Sequence, residues 1–263
     1  MKKDIHKKII QFGSINLSGW VLMEVQGELL KIEEFLQGQV TSDISLLSDN
    51  CSQLSSICNH KGQVLADFII IKKDRKYMFA INKELKNIII DELTTFSKFY
   101  SVDFKIIDKH IIGVISKKSS SKNPFLSDNF FNLSVEIKNS LKNFNDSINA
   151  AHWDAANKLL GNLYLKYSDI EKYRPLEINY DNLRVSFDKG CYRGQEIVAR
   201  MKYLGIDRRK FCTFITDKNF KKNEDIKITG EVVEIEGLFI FNGIIKKEIF
   251  PQLQNLNGVI DIY

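Results

Sequence analysis

The chain has 263 residues, a formal net charge of +5, 44% apolar residues and 27% charged residues. That length exceeds what one hydrophobic core usually serves, so two or three compact units are expected. Ordinary apolar and charged fractions exclude a disordered chain, and the lysines (Lys2, Lys3, Lys7, Lys8; Lys72, Lys73; Lys221, Lys222) are scattered as on a solvated surface, although weak, salt-sensitive RNA contact stays open.

The amino-terminal stretch, MKKDIHKKII, is basic with no long apolar run behind it, so neither a signal peptide nor a membrane anchor is expected there. Trp20–Gln26 reads as a strand. Leu29, Ile32 and Leu36 fall at helical spacing over Glu28–Gln37, with Gly38 as the expected stop. Thr41-Ser42-Asp43 reads as a capping cluster. Strands are expected over Ser52–Cys58, Val64–Lys72 and Lys76–Ile81, joined by turns at Asn59-His60-Lys61-Gly62 and Lys73-Asp74-Arg75. Asn82 can cap a helix over Lys83–Ser97. Strands at Ser101–Ile107 and Ile111–Ser116 follow, then a Ser-rich mobile loop over Lys117–Asn129. Alternating Phe131, Leu133, Val135 and Ile137 mark another strand. Ala150–Leu160 reads as a helix and Leu183–Phe187 as a short strand, with a helix opening at Asp188 or Gly190 and running to about Lys202. After Gly205 short β runs punctuated by Gly230, Gly237 and Gly243 predict a small all-β unit, a barrel or sandwich.

The chemistry concentrates in Lys189–Glu196, KGCYRGQE. Cys191 falls in the first turn of the predicted helix. Free N–H groups, the positive helix end and the neighbouring Lys189 and Arg193 would favour a thiolate there. The bland alternative is a buried, inert cysteine. Cys51, Cys58 and Cys212 have no such setting. The four cysteines form no C-x-x-C pair, so neither a zinc knuckle nor a dithiol redox motif is written, and free thiols in a reducing cytoplasm are expected. Tyr192, Glu196 and Arg200 stand four apart on one helix side, where Glu196 can pair with Arg200, while Ile197, Val198 and Met201 form an apolar side. Gln195 offers an amide that donates and accepts. Gly190 and Gly194 permit close approach of backbone or ligand. An ordinary amphipathic helix with a solvated ion pair is the competing reading. Each of the two tryptophans, Trp20 and Trp153, taken singly is a core residue, although flat ligands are commonly gripped by such rings.

KGCYRGQEIVAR at Lys189–Arg200 resembles the signature of the YgfZ proteins, relatives of the glycine-cleavage aminomethyltransferase, with RVSFD as the strand leading into it. FLQGQVTSDI (Phe35–Ile44) after Gly27, and CNHKGQVLAD (Cys58–Asp67), resemble the same family's earlier blocks in the right order. Trp20 and Trp153 fall where the family has folate-contacting tryptophans. The resemblance runs from about Trp20 to Gly205, is weak across Ile88–Ser147 and is only architectural beyond. Leu160-Gly161-Asn162-Leu163 lacks the proline usual after the second tryptophan, and the tail is short.

Membership would imply an α+β fold: a GcvT-like intertwined two-subdomain α+β module followed by a small C-terminal β-barrel. The division would be residues 1–50 with 111–204 as a discontinuous folate-binding subdomain, 51–110 as an inserted ferredoxin-like subdomain, and 205–263 as the barrel. It would further imply tetrahydrofolate as cofactor, with no metal of the chain's own. Trp20 and Trp153 would contact its rings, Lys189, Cys191 and Gln195 would line the same cavity, and Tyr192, Glu196 and Arg200 would assist binding. The implied role is that of a cytoplasmic accessory factor, not a stand-alone enzyme, serving iron–sulfur enzymes that modify tRNA. Cys191 would be the reactive thiol and Lys189 its companion; direct contact with tRNA stays open and no membrane partner is expected. A folate-dependent aminomethyltransferase is the enzyme alternative, for which Glu84 would be the only candidate carboxylate. A cysteine hydrolase would need a histidine beside Cys191, and of the four histidines His152 is the candidate. A pure RNA-binding module lacks an aromatic–basic recognition motif.

Overall fold

The computed structural model describes residues 2–120, 123–205 and 208–263, the side chains of 2–4 excepted. In chain order it opens with α1 (Lys2–Ile9), β1 (Gly13–Asn16), β2 (Trp20–Gln26), α2 (Leu29–Gln39), β3 (Cys51–Cys58), β4 (Val64–Lys73), β5 (Lys76–Asn82) and α3 (Lys86–Ser97). It continues with β6 (Asp103–Ile107), β7 (His110–Lys117), β8 (Leu126–Ser127), β9 (Phe131–Lys138), α4 (Ala150–Leu159), α5 (Tyr180–Leu183) and α6 (Gln195–Leu204). The last stretch holds β10 (Arg209–Thr216), β11 (Lys227–Ile235), β12 (Leu238–Lys246), α7 (Phe250–Leu253) and β13 (Val259–Ile262).

The strands make three antiparallel sheets, ordered β3-β4-β5-β2-β6, β1-β7-β9-β8 and β11-β12-β10-β13. The five-stranded sheet feeds two cores at once, because alternate strand residues point to opposite faces. Met23, Phe68, Ile70, Phe79 and Ile81 join one core with α2 and α3. Leu22, Ile69, Ile71, Met78 and Ala80 join a second with α1, α4 and strands of the β1-β7-β9-β8 sheet. This double burial explains why β4 reads as an unbroken apolar run rather than an alternation. A third, smaller core lies in the carboxy-terminal sheet around Phe214, Phe241 and Ile245.

Several sequence expectations change. Gly38 does not stop α2: buried Phe35 and Leu36 anchor its last turn, and Val40 N–H still donates to the Leu36 carbonyl at 3.0 Å. Of the capping cluster only Asp43 caps, accepting from Ser45 N at 2.9 Å. The Lys83–Ser97 helix opens with a 3-10 turn at Lys83–Leu85, capped by Asn82, before α3. Part of the expected Lys117–Asn129 loop is ordered as β8 against β9, while residues 121–122 of that expectation lie outside the described residues. Leu183–Phe187 forms no strand. Leu183 ends α5, and Arg184 turns its side chain inward to serve carbonyls of β3 and β4; the segment is tied to Thr41 by Ser186 N donating to the Thr41 carbonyl at 3.0 Å and by Thr41 Oγ1 donating to the Arg184 carbonyl at 2.7 Å. A boundary at residue 50/51 would cut the five-stranded sheet, because β2 is hydrogen-bonded to β5, with Trp20 opposite Asn82. The expected C-terminal β unit is present as the four-stranded sheet β11-β12-β10-β13.

Candidate functional site

Trp20 opens β2 and, two residues before Leu22, shares its face toward the second core. Its ring meets Tyr164 edge-on, centroids 4.8 Å apart. Trp153 sits on α4, whose first turn is held by the Asn149 side chain accepting from His152 N at 3.1 Å. The benzo edge of Trp153 lies so close to Gly113 of β7 that a Cβ there would come within 2.9 Å of the ring, so glycine is required for the indole to seat. Both rings line one cavity of about 170 Å³ together with Asp154, Lys158, Tyr164 and Glu231.

Burial shifts both titratable groups of the cavity's α4 wall toward their neutral forms. Burial raises the Asp154 carboxyl, against the lowering pull of Lys158 one turn on. Burial likewise lowers the Lys158 ammonium, against the pull of Asp154. Lys166 and Glu231, both cavity residues, form an ion pair. The Trp153 Nε1 donor is buried without a partner.

An amide chain ties the indole helix to the deepest charge pair. Asn157 donates to the Trp153 carbonyl at 2.9 Å, Asn162 to Asn157 Oδ1 at 2.8 Å, and Arg184 to Asn162 Oδ1 at 2.8 Å. Arg184 lies 3.1 Å from Asp67 Oδ2, also donates to the Ser55 and Phe68 carbonyls, and its guanidinium stands over the Tyr180 ring at 4.6 Å. Burial pushes Asp67 up to about 6 even though Arg184 pulls the other way.

The KGCYRGQE segment stands elsewhere. α6 begins at Gln195, not at Asp188 or Gly190, because Gly194 takes φ 84°, a left-handed conformation that precedes the first helical residue. Cys191 therefore lies in the loop before the helix, outside its first turn, and is exposed. The loop clasps the end of α2: Lys189 Nζ donates to the carbonyls of Val40 (2.7 Å) and Ser42 (3.0 Å), and Arg193 N to the Gly38 carbonyl (3.2 Å). Gly194 packs on the β3–β4 turn, where an added Cβ would stand 2.4 Å from the Asn59 carbonyl oxygen. Lys189 is 6% exposed, and burial lowers its ammonium to about 8, with Asp43 opposing. Tyr192 is buried beneath it, with the Lys189 ammonium 5.2 Å from its ring centroid, and Gln195 Oε1 accepts from Tyr192 N at 3.3 Å.

Lys189, Cys191, Tyr192, Gln195, Glu196 and Arg200 are thus not among the residues lining the indole cavity, contrary to the single shared hollow expected for the first, second and fourth of them. The reason is topological: the indoles belong to the second core, whereas the loop rests on α2 and the β3–β4 turn of the first. Glu196 and Arg200 are exposed and form no ion pair among the described residues; Arg193 pairs with Glu92 instead. Glu84 accepts from Tyr167 N at 3.3 Å and is not in the cavity lining. His152 rides on α4 beside β7, β11 and β12, on the indole side, so it is no partner for Cys191. Sequence reasoning missed Asp154, Lys158 and Glu231. The first two carry a signal, an i,i+4 pair beside a tryptophan; Glu231 carries none.

A chain with this arrangement of mixed sheets and helices is a GcvT-like α+β protein: the crystal structure of the glycine cleavage system aminomethyltransferase T from Bartonella henselae superposes with a TM-score of 0.62 over 93% of this chain and 81% of that one, at 15% identity. The sequence is 29% identical to an uncharacterized protein of Haemophilus influenzae, covering 94% of this chain and 86% of that protein. It is 27% identical to the tRNA-modifying protein YgfZ of Photobacterium profundum (77% of this chain, 69% of that protein) and 24% identical to that of Klebsiella pneumoniae (76% and 70%). In sequence and fold the chain is thus similar to the YgfZ/GcvT-like proteins. No family model matches it. Among the described residues no helix is long and apolar enough to cross a membrane, and no group of three or more His, Cys, Asp or Glu could hold a metal ion.

Proposed function

We propose that this chain is a tetrahydrofolate-binding protein of the YgfZ type that supports iron–sulfur enzymes of tRNA modification in the cytoplasm. The observation that carries the reading is the cavity shared by Trp20 and Trp153, walled by the half-buried Asp154 carboxyl and the buried Lys158 ammonium. A reduced pterin is flat, rich in N–H donors and carries one ring carbonyl. Trp20 would stack on it, Asp154 would accept from its N–H groups, and the unpaired Trp153 Nε1–H and the Lys158 ammonium would donate to its carbonyl. Drug-sized ligands need roughly 300–1,000 Å³. A hollow of about 170 Å³ suits one ring system, so the aminobenzoyl-glutamate part would extend outward. When bound, the folate would supply a one-carbon carrier.

The thiol works from a separate surface. Lys189 and Arg193 fix the loop so that Cys191 points to solvent, where a partner's cluster or one-carbon adduct would meet it. One thiolate gives one cluster ligand, so the client enzyme supplies the rest. Titration calorimetry with tetrahydrofolate tests the reading: one site on the intact chain, weakened in Trp20→Ala, supports it, and no saturable binding refutes it.

An aminomethyltransferase reading rests on the fold neighbour alone, and its candidate carboxylate, Glu84, accepts from Tyr167 N and is not among the cavity-lining residues. Robust methylene transfer from a lipoyl carrier protein would establish it.

A further inference from the structure

A third feature belongs to neither the indole cavity nor the thiol loop. Between the end of α1 and the β7–β9 edge lies a hollow of about 590 Å³, within the usual range of small-molecule sites. Ile10, Phe12, Phe130 and Phe131 supply its apolar walls. Phe12 and Phe130 are 44% and 38% exposed, unusual for phenylalanines that a monomer could have buried. The His6 ring meets Phe130 edge-on at 5.0 Å and closes the floor.

The rim has one sign of charge. Lys7, Lys117 and Lys118 line the hollow and are exposed, and no Asp or Glu is among the lining residues. The Lys117 ammonium stands 6.0 Å from the Phe12 ring centroid, over an apolar wall, and Lys118, the next residue on the rim, donates to Ser127 Oγ at 3.0 Å. An apolar trough crowned by ammonium groups complements a ligand with a hydrocarbon body and one anionic end.

We propose that this hollow binds a single-chain amphiphilic carboxylate, its hydrocarbon against Phe12, Phe130 and Ile10 and its carboxylate between Lys117 and Lys118. A small hydrophilic anion with no apolar part would leave the phenylalanine walls wet. A neutral apolar ligand would leave three ammonium groups without a counter-charge.

The test is binding of octanoate, decanoate and dodecanoate, each below its micelle concentration, to the full chain, with dodecanol as the uncharged match. The expected result is one site, with affinity rising about fourfold per added methylene. In Lys117→Ala/Lys118→Ala, dodecanoate should weaken at least fivefold while dodecanol is unchanged; Phe130→Ala should weaken both. Absence of saturable binding, many equivalent sites, or equal loss of acid and alcohol in the lysine variant overturns the proposal. So does lysine-dependent adsorption to anionic phospholipid vesicles without binding of free carboxylate, which would make this a membrane-facing surface.

Discussion

Trp20 and Trp153 wall the same cavity, although one is the first residue of a strand in the five-stranded sheet and the other rides on a helix beside a different sheet. Their meeting depends on the second core, which draws β2, α4 and β7 together.

Thiol accessibility should split the cysteines. Cys191 is exposed, whereas Cys58 and Cys212 are buried and burial pushes their thiols up to about 12 and about 11. Iodoacetamide should label Cys191 first in the native chain, and Cys58 and Cys212 only after unfolding. Cys191→Ala should leave fold and tetrahydrofolate affinity unchanged but abolish complementation of a defect in iron–sulfur-dependent tRNA modification. Full complementation by that variant would make the thiol dispensable.

Lys189 should leave a signature in alkaline stability. Its folded value of about 8 lies below the ordinary lysine value of 10.5, so between those limits the unfolded chain holds more protons. The Lys189 contribution to stability then rises with pH across that window, by on the order of 3 kcal/mol if the full shift is expressed. Urea unfolding from pH 7 to 10.5 should show the wild type gaining stability relative to Lys189→Met across that window, because the raised Cys58 and Cys212 thiols pull both chains equally in the other direction. Parallel curves would contradict the assignment.

Breaking the Arg184–Asp67 pair should be costly. Arg184→Leu strands a buried carboxylate and leaves the Ser55 and Phe68 carbonyls without that donor, a loss of about 3–5 kcal/mol. Protonation relieves the stranded carboxylate, so the loss should be smaller at pH 5 than at pH 8. Chemical denaturation at both pH values measures it.

The two motif glycines should behave oppositely. Gly194→Ala meets both a positive φ and the Asn59 carbonyl, so it should destabilise by at least ~1–2 kcal/mol from backbone strain alone. Gly190→Ala has open space around its Cβ and should stay within ~0.5 kcal/mol of wild type. Equal midpoints in urea would contradict the packing of the loop on the β3–β4 turn.

Strand positions were legible from the sequence because β4, β5, β9 and β12 are long runs of β-branched and aromatic residues bounded by turn residues. The start of α6 was not, because only Gly194's left-handed φ, set by contact with Asn59 about 130 residues earlier, decides it. Val185–Phe187 alternates as a strand would, but the inward turn of Arg184 is a tertiary event. The family resemblance implied that both tryptophans share one cavity; it could not reveal that Lys189 spends its ammonium on the Val40 and Ser42 carbonyls. Asp154 and Lys158 carried only the faint signal of an i,i+4 pair beside a tryptophan, and Glu231, brought in by β11, carried none.

The most direct test uses each tryptophan as its own reporter. With Trp20→Phe and Trp153→Phe, each chain keeps a single indole, and tetrahydrofolate is titrated while its fluorescence is followed. Trp20→Ala should weaken binding by about 1–3 kcal/mol if stacking resembles that on bases. Trp153→Ala, by contrast, removes a core residue only 3% exposed and should chiefly lower stability by about 3–5 kcal/mol. The account predicts saturable quenching of both indoles with one common dissociation constant. Quenching of neither, or of only one with the other unaffected at saturation, would contradict a folate held between them.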